Sequence, residues 1–306
     1  MMNTEFKNIL DSVNKSEETV FSRTVDGVTY HRRFIPKDRL ILLGGGHVSE
    51  ALIRIAATLD FSVTVVDDRY EFANTTRFPD ADEVICDSFE TAIERLAITD
   101  RDYICIVTRG HKFDKECVAK IISGTMPAYL GMIGSKKKVN AVFESLIEEG
   151  YSEEKLGRIY APIGLSIGSV TVPEIAVSIC AELIACRSAL KKCYDNNSLT
   201  QTEANLSVLS FFAAGDCPRA MAMILSSTGS TPAKSGAIMA VDADGRIYGT
   251  IGGGCGEAQA KRAAMRLIGS GESEILTIDM DNESAAGGGM VCGGRITVLI
   301  EDLEDD

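Results

Sequence analysis

The chain has little positive charge. Its 31 Lys and Arg are outnumbered by 44 Asp and Glu, and the net charge is −13. Phosphate binding draws its affinity from clustered Lys and Arg, so nucleic acid is excluded as an expected partner. The only basic run, Lys136-Lys137-Lys138, reads as an exposed helix start. No uncharged apolar run reaches the roughly 18 residues of a membrane span. No N-terminal stretch joins basic residues to an apolar segment of signal-peptide length. CxxC pairs are also absent, and nine cysteines, an odd count in a chain of 306 residues, do not make a disulfide framework. These absences together predict a cytoplasmic protein with reduced thiols and no membrane association. Cys86, Cys105 and Cys180 sit in apolar surroundings and are expected to be inert core residues.

With 45% hydrophobic and 25% charged residues the composition is that of a globular protein, and the length suggests about two domains. A weakly patterned start and a hairpin over Thr19–Pro36, turning at Asp26-Gly27, lead to Arg39-Leu40-Ile41-Leu42-Leu43, which reads as a buried parallel strand. Gly44-Gly45-Gly46-His47-Val48-Ser49 follows, a dinucleotide-binding fingerprint with serine in place of its third glycine. A helical repeat, the strand Ser62–Val66 and then Asp67-Asp68 come next, with Asp67 placed to bond the ribose hydroxyls of NAD. Tyr103–Val107 predicts another central strand. Ligands of open α/β sheets sit beyond the carboxyl ends of strands, so Arg109 and His111 become candidate ligands. Pro127–Ile133 reads as a strand, Gly134–Glu149 opens into a helix, and Pro173 starts a helix to about Lys192 on which Glu174 and Glu182 read as solvated or capping carboxylates. Tyr194–Glu203 is the clearest linker by composition.

Beyond it, Leu206–Ala214 predicts a helix, Ala220–Leu225 a strand and Ser226–Pro232 a polar loop, and Ile238–Val241 with Arg246–Ile251 predicts a hairpin around Asp244-Gly245. Thr250-Ile251-Gly252-Gly253-Gly254-Cys255-Gly256-Glu257-Ala258 joins that strand to a helix over Glu257–Ile268. Its glycines permit a sharp turn and close approach of a ligand. The helix start directs unpaired N–H groups at that point, which suits an anion and stabilises a thiolate at Cys255. The stretch is either a site or a tight turn whose small residue is a cysteine. A second cluster, Gly287-Gly288-Gly289-Met290-Val291-Cys292-Gly293-Gly294, precedes the final strand, Arg295–Ile300. The expected fold is α/β, with a hairpin and Rossmann-like parallel-sheet domain over 1–195 followed by a smaller α+β, mixed-sheet domain over 196–306.

Several of these segments resemble the XdhC/CoxI accessory proteins of molybdenum hydroxylases such as xanthine and carbon monoxide dehydrogenase. In the first half they are Gly44–Val48, Val66-Asp67-Asp68-Arg69, Thr108-Arg109-Gly110-His111, Gly131–Ser135, Ala161–Leu165 and Pro173–Ile179. In the second they are Gly229-Ser230-Thr231-Pro232, Gly236-Ala237, Gly253-Gly254-Cys255-Gly256-Glu257 and Cys292-Gly293-Gly294. In that family the small domain usually comes first; here it comes last, as though permuted. The resemblance implies a maturation factor rather than a turnover enzyme. Such proteins bind the molybdenum cofactor (molybdopterin), hold it while a cysteine desulfurase helps add a terminal sulfur, and deliver it to the molybdenum hydroxylase apo-enzyme. Carried onto this chain, the resemblance makes Cys255, Glu257 and Cys292 the cofactor-handling residues, with Gly253, Gly254 and Gly293 as backbone cradle. Glu257 also reads as a helix-dipole partner.

Two other classes stay open on the residues. An NAD(P)-dependent oxidoreductase would use Gly44, Gly45, Gly46, His47, Asp67 and Asp68, with Arg69 able to meet a 2′-phosphate. A redox-responsive nucleotide-binding protein would pair Cys255 with Cys292. A homodimer is one assembly a bilobal cytosolic chain allows.

Overall fold

The computed structural model describes residues 2–15, 17–191, 199–215, 217–279 and 294–303. The chain opens with α1 (Met2–Asn14) and an antiparallel hairpin of β1 (Thr19–Val25) and β2 (Val28–Phe34). The turn between them places Asp26 at φ 50° and Gly27 at φ 79°, the paired left-handed conformation that two-residue hairpins favour.

Residues 37–193 form one compact unit. Its five parallel strands are β3 (Asp38–Leu43), β4 (Phe61–Asp67), β5 (Glu83–Cys86), β6 (Tyr103–Ile106) and β7 (Tyr129–Met132), in the spatial order β5-β4-β3-β6-β7. The helices are α2 (His47–Ala56), α3 (Phe89–Leu96), α4 (His111–Ile122), α5 (Lys136–Glu148), the single turn α6 (Glu153–Leu156) and α7 (Val172–Lys191). One core layer sets Ile41, Ile104 and Leu130 against Val118 and Leu146; the other sets Leu40, Leu42 and Val65 against Leu52 and Leu183. Both faces of the sheet are thus covered, and the strands read as continuous apolar runs. This is the expected Rossmann-like sheet, and its order reverses between β3 and β6.

The remaining helices and strands are α8 (Leu206–Ala214), β8 (Arg219–Gly229), β9 (Ile238–Asp242), β10 (Ile247–Gly249), α9 (Gly254–Leu267), β11 (Ser273–Asp279) and β12 (Gly294–Leu303). They build the expected smaller α+β unit, but its sheet, of order β10-β9-β8-β12-β11, is antiparallel throughout and not mixed as expected. Ser226–Gly229, expected as loop, continues β8 by pairing with β12 across a register shift.

One boundary differs from expectation. Residues 1–36 join residues 194–306, not the Rossmann sheet. Phe6, Ile9, Phe21 and Phe34 pack in one core with Val208, Phe212, Met221 and Met223. The buried Arg32 guanidinium donates to the carbonyls of Gly236 (2.8 Å), Arg33 (3.1 Å) and Glu203 (2.9 Å). The Rossmann unit is therefore inserted within the chain of the smaller one. Nor is Leu199–Glu203 a free linker, because Leu199 N–H donates to His31 and Gln201 N–H to Ser235. The rest of that segment, 192–198, lies outside the described residues. Among the described residues no helix is long and apolar enough to cross a membrane.

Candidate functional site

In the Rossmann unit the fingerprint forms the loop between β3 and α2. Gly44 has φ 117° and a Cβ there would lie 2.4 Å from the Val107 carbonyl oxygen. A Cβ on Gly45 would lie 1.9 Å from the carbonyl oxygen of Phe72. Both glycines are thus demanded by the protein's own backbone. At Gly46, by contrast, a Cβ would meet nothing within 4 Å, so this is the glycine with room in front of it. Ser49, buried where a third glycine is usual, donates its hydroxyl to the Gly44 carbonyl and closes the loop.

Asp67 is buried, and four donors converge on it. Its Oδ1 accepts from the Arg69 backbone N–H at 3.1 Å and Arg69 Nε at 2.9 Å; Oδ2 accepts from Gly45 N–H at 2.9 Å and Arg69 Nη2 at 3.0 Å. Asp68, beside it and partly exposed, is held by both Nη atoms of Arg109, with Nη2 to Oδ2 at 2.8 Å. That hydrogen-bonded guanidinium pulls the Asp68 carboxyl below its ordinary range. The Arg109 guanidinium carbon also sits over Phe113, 4.1 Å from the ring centre. Because β3 separates β4 from β6, the Asp68–Arg109 pair spans the carboxyl end of β3. His47 and His111 are both exposed and each opens a helix, α2 and α4, on the two sides of the strand-order reversal. The loop before α4 is fixed from below: Thr108 Oγ1 donates to the buried Asp114 at 2.6 Å, and Lys138 neutralises that carboxylate.

Phe72 and Arg77 join this site without being marked by any local sequence pattern. The segment carrying them lies on the glycine loop, with Arg77 Nε donating to the Gly45 carbonyl at 3.1 Å and Nη2 2.9 Å from Glu50. Arginines in the stretch that follows the second strand are the one signal that could have pointed to it. Glu174 caps Val170 and Thr171 N–H, both at 2.8 Å, as expected of a capping carboxylate. Glu182 is not solvated. It is buried, accepting from Tyr129 Oη at 2.5 Å and Gly164 N–H at 2.9 Å. Cys86 also departs from expectation: it ends the edge strand β5 and is exposed, whereas Cys105 and Cys180 are buried.

In the smaller unit the helix α9 begins at Gly254, three residues before the expected Glu257, which places Cys255 in its first turn. Gly252, Gly253 and Gly254 have φ 113°, 72° and 67°, a run that only glycine sustains without strain. Glu257 organises the turn. Its Oε2 accepts from Thr250 Oγ1 (2.5 Å), Ile251 N–H (3.1 Å) and Gly253 N–H (3.1 Å). Cβ atoms on Gly253 or Gly254 would meet nothing within 4 Å, and Cys255 is exposed. Gly252 instead abuts Pro232, whose Cγ would be 2.7 Å from an added Cβ. A Cβ on Gly294 would lie 2.6 Å from both the Ser230 carbonyl oxygen and Thr231 Cγ2, and Gly294 pairs with Gly229. Gly294, the Gly229–Pro232 segment and Gly252 of the glycine–cysteine turn thus meet at one end of this sheet. Cys292 and Gly293 fall outside the described residues. Among the described residues no cluster of three or more His, Cys, Asp or Glu is arranged to hold a metal ion.

A Rossmann sheet inserted in an antiparallel unit with a glycine–cysteine turn defines a two-unit protein, and comparison with known families agrees. Residues 40–183 match the XdhC Rossmann domain, and residues 213–279 match the XdhC and CoxI family. The chain belongs to the XdhC/CoxI family, with the Rossmann match first. It is 36% identical over 149 residues to the uncharacterized protein YqeB of Escherichia coli (strain K12), covering 48% of this chain and 27% of that protein. It is 28% identical over 180 residues to a probable xanthine dehydrogenase subunit of Bacillus subtilis (strain 168), covering 58% of this chain and 52% of that protein. The crystal structure of a xanthine dehydrogenase from Bacillus halodurans is similar at a TM-score of 0.50 and 28% identity, over 57% of this chain and 49% of that one. The chain therefore spans about half or less of these relatives' lengths.

Proposed function

We propose that this chain is a maturation factor for a molybdenum hydroxylase of the xanthine or carbon monoxide dehydrogenase type. In this reading it holds the molybdenum cofactor for sulfuration and delivers it to the apo-enzyme. The observation that carries the reading is the open front of the Gly253–Cys255 turn, in a segment matched by the XdhC and CoxI family.

The residues fit the group. Free space before Gly253 and Gly254 lets a bulky ligand lie against the backbone. The first N–H groups of α9 have no acceptor within the helix and suit a pterin phosphate. The exposed thiol of Cys255 is a soft donor suited to molybdenum or sulfur. Once bound, the cofactor supplies the redox-active metal that the recipient hydroxylase needs. On this chain Gly253 and Gly254 grant the approach, Cys255 binds, and Glu257 holds the turn in shape. A cysteine desulfurase and the apo-hydroxylase are the partners this role requires. Gel filtration of the protein mixed with molybdenum cofactor tests the reading: metal co-eluting with protein supports it, and metal eluting only at small-molecule volume contradicts it.

The Rossmann unit takes a nucleotide, NAD or another, in the same reading. Its support is the open face of Gly46 beside two exposed helix starts at the strand-order reversal. Such a crevice is where open α/β sheets bind ligands. Calorimetric titration with NAD and NADP tests this; no heat from either would remove both nucleotides.

A further inference from the structure

The acidic residue that ends the second strand of a dinucleotide fold ordinarily takes the ribose hydroxyls. By position in the chain that residue is Asp67. Its surroundings leave it no capacity for the task. Each carboxylate oxygen already accepts two hydrogen bonds within the protein, from Arg69 and from Gly45. An ionised carboxylate offers about four acceptor positions in all, and the Asp67 side chain is only 2% exposed. Asp67 shapes the glycine loop from inside.

Asp68 is differently placed. Its side chain is 27% exposed, and Arg109 takes one position on each oxygen. The exposed edge of the carboxylate, away from the guanidinium fork, can accept one ribose hydroxyl and leave the arginine pair in place. Asp68 also lines a cavity of about 540 Å³ that continues between α3 and α4 past Phe89, Phe113 and Tyr151. Phe89 and Phe113 meet edge to face, with ring centres 5.8 Å apart. Ser88, Glu90 and Glu116 supply polar atoms around them. A flat aromatic base suits such walls, since ring–ring contact adds to burial and the rim can bond exocyclic groups. From Asp68 the free face of Gly46 and the start of α2 lie across the carboxyl ends of neighbouring strands, where phosphates would be received.

We propose that Asp68, not Asp67, is the ribose-binding carboxylate of the Rossmann unit, accepting the 2′ hydroxyl, and that the Phe89–Phe113 cavity takes the base of a ribonucleotide. This rests on the nucleotide reading of the unit and names the part of the site that selects the sugar. Arg109 is a positioning residue, fixing the carboxylate by its fork and by its seat on Phe113.

Calorimetry with the full chain tests the proposal, using ADP, CDP, NAD and the 2′-deoxy forms of the two diphosphates. ADP and CDP arms separate a purine-selecting from a pyrimidine-selecting cavity. At least one ribonucleotide is expected to bind about tenfold or more tighter than its 2′-deoxy form, the value of a hydrogen bond to a charged group. In Asp68→Asn that ratio is expected to fall toward one, with the melting temperature close to that of the parent. If the parent binds ribo and deoxy forms alike, or Asp68→Asn keeps the parent's ratio, the assignment to Asp68 is overturned while nucleotide binding stands. If no nucleotide binds the parent, the assignment and the nucleotide reading fall together.

Discussion

Thr250 and Glu257 face each other across the glycine turn, the threonine hydroxyl donating to Glu257 Oε2 at 2.5 Å. The same oxygen takes the N–H groups of Ile251 and Gly253, so one carboxylate gathers three donors from the segment that leads into α9. Removing it leaves those donors to water or to nothing. Glu257→Ala is expected to destabilise the smaller unit by about 1–3 kcal/mol. Glu257→Gln, which keeps an acceptor oxygen, should cost less. Urea titration of the two variants checks the order; equal stability of Ala and parent would contradict it.

Arg32 is the clearest tie between the first 36 residues and the C-terminal part of the chain. Burial pushes its guanidinium down to about 10, still charged at neutral pH, so the three carbonyls it serves are needed. Arg32→Met should destabilise the unit containing residues 1–36 by roughly 2–4 kcal/mol and leave the Rossmann unit unchanged. Calorimetric melting would then show one transition lowered and a second unmoved. A shift in the Rossmann transition instead would contradict the inserted arrangement.

Burial separates the thiols. It raises Cys180 to about 11 and also pushes Cys105 and Cys117 up from the ordinary thiol value, while Cys86 and Cys255 are exposed. Thiolate fraction and access govern alkylation. Iodoacetamide on the native protein near pH 7.5 should modify Cys86 and Cys255 and spare Cys105, Cys117 and Cys180 until denaturant is added. Peptide mass spectrometry reads this directly.

Arg109 holds the Asp68 carboxyl below its ordinary range, chiefly through its hydrogen-bonded guanidinium. A carboxyl whose folded pKa is depressed adds stability above its unfolded pKa of about 3.9, and that stability is lost as pH falls through the folded value. The pair is solvent-accessible, so the effect is small. Parent and Asp68→Asn should differ slightly at pH 7 and converge in acid below the carboxylate range. Denaturation midpoints that diverge as the pH falls would contradict the pairing.

Much of this was legible in the residues. The apolar run Leu40–Leu43 and the glycines after it fixed the first Rossmann strand and loop, because a strand buried on both faces has no polar alternation to mask it. The Asp26-Gly27 turn marked the hairpin but not its allegiance. Which core receives Phe21 and Phe34 depends on Phe212 and Met221, nearly two hundred positions away, and no local pattern encodes that. That Asp67 is enclosed by the loop while Asp68 stays partly exposed was equally hidden, since it is set by which carboxylate Arg69 and Gly45 reach in space. Gly44 and Gly45 read as ligand-facing, yet their neighbours Val107 and Phe72 are what require them.

The most direct test of cofactor handling at the glycine–cysteine turn is the molybdenum-to-protein ratio after gel filtration with molybdenum cofactor, for the parent and for Cys255→Ala. The parent is expected to retain metal and Cys255→Ala to lose most of it, with unchanged melting temperature because the thiol is exposed. Equal retention by the two proteins would contradict a role for this thiol in holding the cofactor.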